Sequence, residues 1–182
     1  MTQQRHFLRS LLTFTHALTA GALMLSPALL QAQPARAKAP LIAYVGTYTS
    51  PLKNMRKTQV DLPPGNGRGI HLFHVNRSTG AMTPAGLHEM GTSPSALAFN
   101  ADRTRLYSAN ETERIGDNEA GSVSAFAIDP ANGKLKLLNS VNSGGKGPAH
   151  LSVHPSGKFV LVANYFGGSV AVLPIQPDGS LG

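Results

Sequence analysis

The stretch Pro148 to Ile175 reads PAHLSVHPSGKFVLVANYFGGSVAVLPI. It holds three short apolar runs rich in β-branched residues, His150–Val153, Phe159–Ala163 and Ser169–Leu173. Pro155-Ser156-Gly157 separates the first two and Gly167-Gly168 the last two. Short apolar runs punctuated by turn residues predict an antiparallel meander of strands.

The same pattern occurs earlier in the chain. Pro94–Asn110, PSALAFNADRTRLYSAN, aligns without a gap onto Pro148–Asn164 at an offset of 54 residues. Pro94, Leu97, Ala109 and Asn110 match identically. Ile70–Met82 aligns with Val123–Leu135 at an offset of 53, and Tyr44–Thr47 fits the slot of Tyr107–Asn110 and Leu161–Asn164. A period near 50 residues that contains about four short strands is the mark of a β-propeller blade. The competing architecture is a β-sandwich with accidental similarity.

With strands lettered A to D from the axis outward, the first blade shows B (Ile42–Thr47), C (Gly69–Val75) and D (Met82–Met90). The second uses Ala96–Phe99, Leu106–Ala109, Ser122–Ile128 and Leu135–Val141. The third uses His150–Val153, Phe159–Ala163 and Ser169–Ile175. The fold class is therefore all-β, a propeller of four-stranded antiparallel blades with about two and a half present. So few blades leave sheet edges unpaired, whereas closure protects them. Residues 38–182 are accordingly expected to be the N-terminal part of a longer propeller domain.

Composition narrows the function classes. The 182 residues include 19 Gly and 13 Pro, which suit tight turns better than long helices. The formal charge of +7 would suit a polyanion partner, but Arg5, Arg9, Arg36 and Lys38 lie in the first 38 residues, which hold no Asp or Glu. Of 16 basic side chains, removing those four leaves 12 against 9 acidic ones, a net of +3. No nucleic-acid partner is expected from that balance. The absence of cysteine rules out a disulfide framework, a zinc–thiolate site and a thiol nucleophile.

Residues 1–37 read as a signal peptide. Two arginines open it, Leu11–Leu30 carries no charge, Pro27 breaks the run, and small residues follow. Cleavage is expected after Ala32 or Ala37, giving an exported, periplasmic or secreted protein with no stable membrane association. The alternative is an N-terminal membrane anchor, since about 20 uncharged residues can span a bilayer.

Insertions mark the face that carries chemistry. B-to-C and D-to-A connections emerge together in a four-stranded meander. The first blade inserts Tyr48–Arg68 and the second Glu111–Ala120 where the third needs only Tyr165–Gly167. Gly144-Gly145-Lys146-Gly147 enters strand A of the third blade on the same face. Binding concentrates on loops held by a rigid scaffold. His150, near the start of strand A where the second blade has Ala96, is the candidate general base or acid. The alternative is a histidine bonded to a neighbouring blade.

Arg68, Lys146 and Tyr165 are candidate substrate-binding residues. With Lys53, Arg56 and Lys57 the cations would suit an anionic ligand, or form a solvated basic loop. Tyr48 and Phe166 are further mouth aromatics. His154 is read as a turn residue and His88 as isolated. His71 and His74 are three apart on a strand, so they face opposite sides and no metal site is expected. Gly65–Gly69 is only superficially a phosphate loop, because no helix follows.

YVGTYT at Tyr44–Thr49, GIHLFHVNRSTG at Gly69–Gly80, SPSALAFNADRTRLYSANE at Ser93–Glu111 and the whole of Gly147–Gly182 resemble the seven-bladed β-propeller lactonase family. That family includes 6-phosphogluconolactonases and related fungal muconate cycloisomerases. The resemblance covers residues 41–182. It implies seven blades, about twice this length, and hydrolysis of a sugar-derived lactone with no metal or organic cofactor. It also implies that His150 is catalytic in a central cleft, working with Arg and Glu side chains from later blades. The other readings are a non-catalytic ligand-binding or interaction propeller and a muconate-type cycloisomerase.

Overall fold

The computed structural model describes residues 40–49, 67–112 and 119–182. The leader 1–37, Lys53, Arg56, Lys57 and Gly65 lie outside the described residues. No helix among the described residues is long and apolar enough to cross a membrane.

Ten strands form three antiparallel meanders. β1 (Leu41–Gly46), β2 (Gly69–Val75) and β3 (Met82–Glu89) make the first sheet. β4 (Pro94–Phe99), β5 (Arg105–Asn110), β6 (Ser122–Ile128) and β7 (Leu135–Asn142) make the second, in that spatial order. β8 (Pro148–Val153), β9 (Phe159–Asn164) and β10 (Ser169–Pro174) make the third. An antiparallel bridge from Ile175 to Leu181 opens its fourth position. Each expected strand is present, and this is a partial β-propeller.

The turns follow from their residues. Asn76 Oδ1 accepts from the amides of Ser78 (2.9 Å) and Thr79 (3.0 Å), and Asp129 Oδ1 accepts from Ala131 (2.8 Å). Each of these side chains mimics a backbone turn. Gly80 and Gly133 then close the turns at φ 74°, a conformation that costs a residue with a Cβ. On the same end, the A-to-B turns place Gly157 at φ 70° and its repeat counterpart Arg103 at φ 60°. Among the described residues Arg103 is the one non-glycine with positive φ.

Packing runs between sheets. In β5, Leu106 and Tyr107 are both fully buried because one faces the first sheet and the other the third. Ile70, Leu106 and Phe126 form the core between the first and second sheets, with Tyr44, Met90 and Leu97 against it. Tyr107, Val123, Ala125, Leu151, Val160, Val162 and Leu181 form the core between the second and third. A repeated hydrogen bond joins neighbours. Tyr44 Oη donates to the Gly133 carbonyl (2.6 Å), and its counterpart Tyr107 donates to the Gly179 carbonyl (3.1 Å). Leu161 fills that slot in the third sheet and has no hydroxyl to donate.

Candidate active site

Both innermost strands carry the same irregularity. In β4, Pro94 opposes Asn110 and Ala96 opposes Ala109, leaving Ser95 as an extra residue. In β8, Pro148 opposes Asn164 and His150 opposes Ala163, leaving Ala149 as the extra one. A β-bulge bends its strand and re-aims the side chain beside it. This explains why the strands begin at Pro94 and Pro148, two residues before the sequence-predicted Ala96 and His150. His150 follows the bulge with an exposed side chain. Among the described residues no hydrogen bond or ion pair engages its ring.

The turn leading to His150 is laced to its neighbours. The Gly147 amide donates to the Thr112 carbonyl (3.0 Å), and the Tyr165 amide donates to the Gly147 carbonyl (2.8 Å). The Gly167 amide donates to the Lys146 carbonyl (3.0 Å), and the Gly121 amide donates to the Gly145 carbonyl (2.8 Å). Phe166 lies over Gly147 so closely that a Cβ there would overlap its ring. The B-to-C loops of two sheets thus fix the entry to β8. Satisfied backbone groups on this scale make a loop part of the rigid frame.

A polar residue at or just after the end of each strand B braces a neighbouring strand or turn. Thr47 Oγ1 donates to the Gly69 carbonyl (2.7 Å). Buried Asn110 donates through Nδ2 to Ser122 (2.9 Å) and Ser124 (2.8 Å), and Ser108 Oγ donates to its Oδ1 (2.8 Å). Buried Asn164 donates to the Ser143 carbonyl (2.9 Å) and Ser169 Oγ (3.3 Å). The residue after each brace reaches the loop face: Tyr48, Glu111 and Tyr165. Tyr48 Oη donates to Glu111 Oε2 at 2.6 Å. Burial first, then that hydrogen bond and the carboxylate's charge, push the phenol's pKa up to about 12.

The sequence-predicted binding residues occupy distinct places. Arg68 stands just before β2 and forms an ion pair with Glu89 at the end of β3, so it belongs to the second and third strands of its sheet. Lys146 pairs with Glu119 of the second B-to-C loop (2.9 Å). Tyr165 is exposed and meets Phe166 edge to face, with centroids 5.0 Å apart. Lys146 and Tyr165 share the laced turn with His150; Arg68 does not. Sequence reading passed over Glu111, although the repeat puts it in the slot of Tyr48 and Tyr165.

The remaining histidines behave differently. His154 Nδ1 bonds Ser156 Oγ (2.8 Å) in the opposite turn, as a turn residue should. His71 and His74 differ in exposure on alternate faces of β2, and no cluster able to hold a metal occurs among the described residues. His88 is not isolated. Its ring meets Phe126 edge to face at 5.0 Å, and burial lowers its pKa.

Comparison with known proteins gives this geometry a family. The family model "Lactonase, 7-bladed beta-propeller" matches residues 42–182. The chain is 35% identical over 140 residues to a 6-phosphogluconolactonase of Bacillus subtilis, covering 77% of this chain and 35% of that protein. It is 32% identical over 115 residues to a 6-phosphogluconolactonase of Formosa agariphila, covering 63% of this chain and 32% of that one. The structure of a periplasmic gluconolactonase of Pseudomonas aeruginosa superposes with a TM-score of 0.63 at 28% identity, over 78% of this chain and 36% of that one. The chain therefore spans about a third of the length of the curated relatives it matches. With residues 42–182 matched by that family model, the chain belongs to the seven-bladed β-propeller lactonase family.

Proposed function

We propose that this chain supplies one sector of the active site of a lactone hydrolase resembling 6-phosphogluconolactonase. The reaction opens a sugar-derived lactone to its hydroxy acid. The observation that carries the reading is His150: an exposed imidazole, re-aimed by a bulge on an innermost strand, beside a turn laced to two loops. A water oxygen attacks the lactone carbonyl while His150 accepts the water proton. The ring C–O bond then breaks, and the proton passes to the departing alkoxide. Imidazole suits both halves of that transfer near neutral pH. Preorganised donors or cations would stabilise the oxyanion. The family resemblance implies Arg and Glu partners for His150 beyond this sector, of which the cationic Arg would stabilise the oxyanion, and no residue of this chain is given either role. No cofactor enters the proposal.

Export is part of the same reading. The uncharged run Leu11–Leu30 behind Arg5 and Arg9 supports a cleaved leader, as suits a relative described as periplasmic. The test is turnover of a lactone panel by the full-length protein, wild type against His150→Ala. The expected result is opening of at least one sugar lactone, with kcat reduced roughly a hundredfold or more by the substitution. A protein that opens no lactone is a binding propeller, and one unaffected by His150→Ala uses another base.

A further inference from the structure

Tyr48, Glu111 and Tyr165 occupy one repeat position in three successive sheets. Each follows a braced strand end, so the three side chains start at the same height on the loop face, one sheet apart. The backbones of Glu111 and Tyr165 are fixed. The Glu111 amide donates to the Ser93 carbonyl (2.8 Å), and the Tyr165 amide donates to the Gly147 carbonyl (2.8 Å). Thr112, next to Glu111, accepts from Gly147, three residues before His150. The rim and the histidine are therefore parts of one hydrogen-bonded frame.

Resting on the hydrolase reading above, we propose that Tyr48, Glu111 and Tyr165 form a hydroxyl-reading rim that selects a neutral, polyhydroxylated lactone over its phosphorylated counterpart. The chemistry of the three residues carries this. Glu111 Oε2 is occupied by Tyr48, while Oε1 has no partner among the described residues. A carboxylate oxygen held in place accepts hydrogen bonds from vicinal hydroxyls. The phenol of Tyr165 supplies a further hydroxyl beside an aromatic face suited to ring C–H groups.

Charge points the same way. Arg68 is tied to Glu89 and Lys146 to Glu119, each cation offset by a carboxylate. Glu111 faces no cation among the described residues. A phosphate beside Glu111 meets like charge, whereas a sugar hydroxyl there meets an acceptor.

The competing explanation is that Tyr48 and Glu111 only brace two loops. Glu111→Gln and Tyr48→Phe in the full-length protein separate the two. KM and kcat are measured for a neutral aldonolactone, its 6-phosphate and an unhydroxylated lactone of equal ring size. Calorimetry on a non-hydrolysable cyclic polyol is read in parallel. For Glu111→Gln the rim predicts a KM about tenfold higher for the neutral aldonolactone. It also predicts little change for the unhydroxylated lactone and improved use of the phosphate. A brace would lower the melting temperature and move all three substrates alike, which overturns the proposal. Lactone opening that is indifferent to Glu111→Gln removes the rim and leaves the hydrolase. Glu111-dependent polyol binding without any turnover removes the hydrolase and leaves the rim. If the wild type neither opens a lactone nor binds the polyol, both fall.

Discussion

At His88 the imidazole sits edge-on to Phe126, between β3 and the second sheet. Desolvation disfavours its charged form, and a hydrogen bond to the Leu135 backbone opposes that only in part, so its pKa lies below the usual 6.5. Ser122, Ser124 and Ser140 face the same cleft, and the nearby carboxylate of Glu89 is already paired with Arg68. Between the depressed folded value and 6.5 the unfolded chain binds more protons than the folded one, so stability rises with pH across that window. The contribution is full above 6.5 and is lost as pH falls through the folded value. His88→Gln keeps a polar side chain that cannot titrate. Denaturant midpoints measured at neutral pH and below 6.5 should differ more for the wild type than for this variant. Equal acid-side losses would show that the imidazole carries no linkage.

The C-to-D turns test how repeated elements differ once they are packed. Gly80 and Gly133 share φ 74°, yet a Cβ at Gly80 meets nothing within 4 Å, while one at Gly133 overlaps Ile42 Cδ1 and crowds Tyr44 Oη. Gly80→Ala should cost about 1 kcal/mol, the left-handed penalty alone. Gly133→Ala should cost a further 1–3 kcal/mol for overpacking, read as the difference between two melting curves. These elements were legible because Gly80 and Gly133 sit at matched places in the repeat, and so were the strands, whose apolar runs recur at offsets of 53 and 54. The loop face was legible too, since the insertions fall at the B-to-C connections that follow β1 and β5. The bulges at Ser95 and Ala149 were not, because an extra residue in one strand leaves the hydrophobic pattern nearly unchanged. The Tyr48–Glu111 bond joins residues 63 apart, and Arg68–Glu89 joins the ends of two strands of one sheet. Neither pairing is set by local pattern: the first follows from how two sheets pack and the second from how β2 and β3 register.

For the molecule as a whole, the second sheet shows what a blade face requires. β5 and β6 are buried on both sides because a sheet lies against each. β10 alternates instead between half-buried and exposed positions, with Val170 73% and Val172 58% exposed and Phe159 exposed beside them. A contiguous apolar sheet face of this kind associates with whatever apolar surface is available. In the 182-residue chain expressed by itself, that surface belongs to a second copy, so light scattering should report association that Val172→Lys relieves. In a seven-bladed protein the same face packs against the next blade, as the third sheet packs on the second through Val160 and Val162. There Val172→Lys places an ammonium in an interface without a partner and should destabilise by about 3 kcal/mol or more. The substitution is expected to change sign with context: it improves the behaviour of the short chain and harms the long one. A Val172→Lys variant that is neutral in the seven-bladed protein would mean that the next blade does not cover this face.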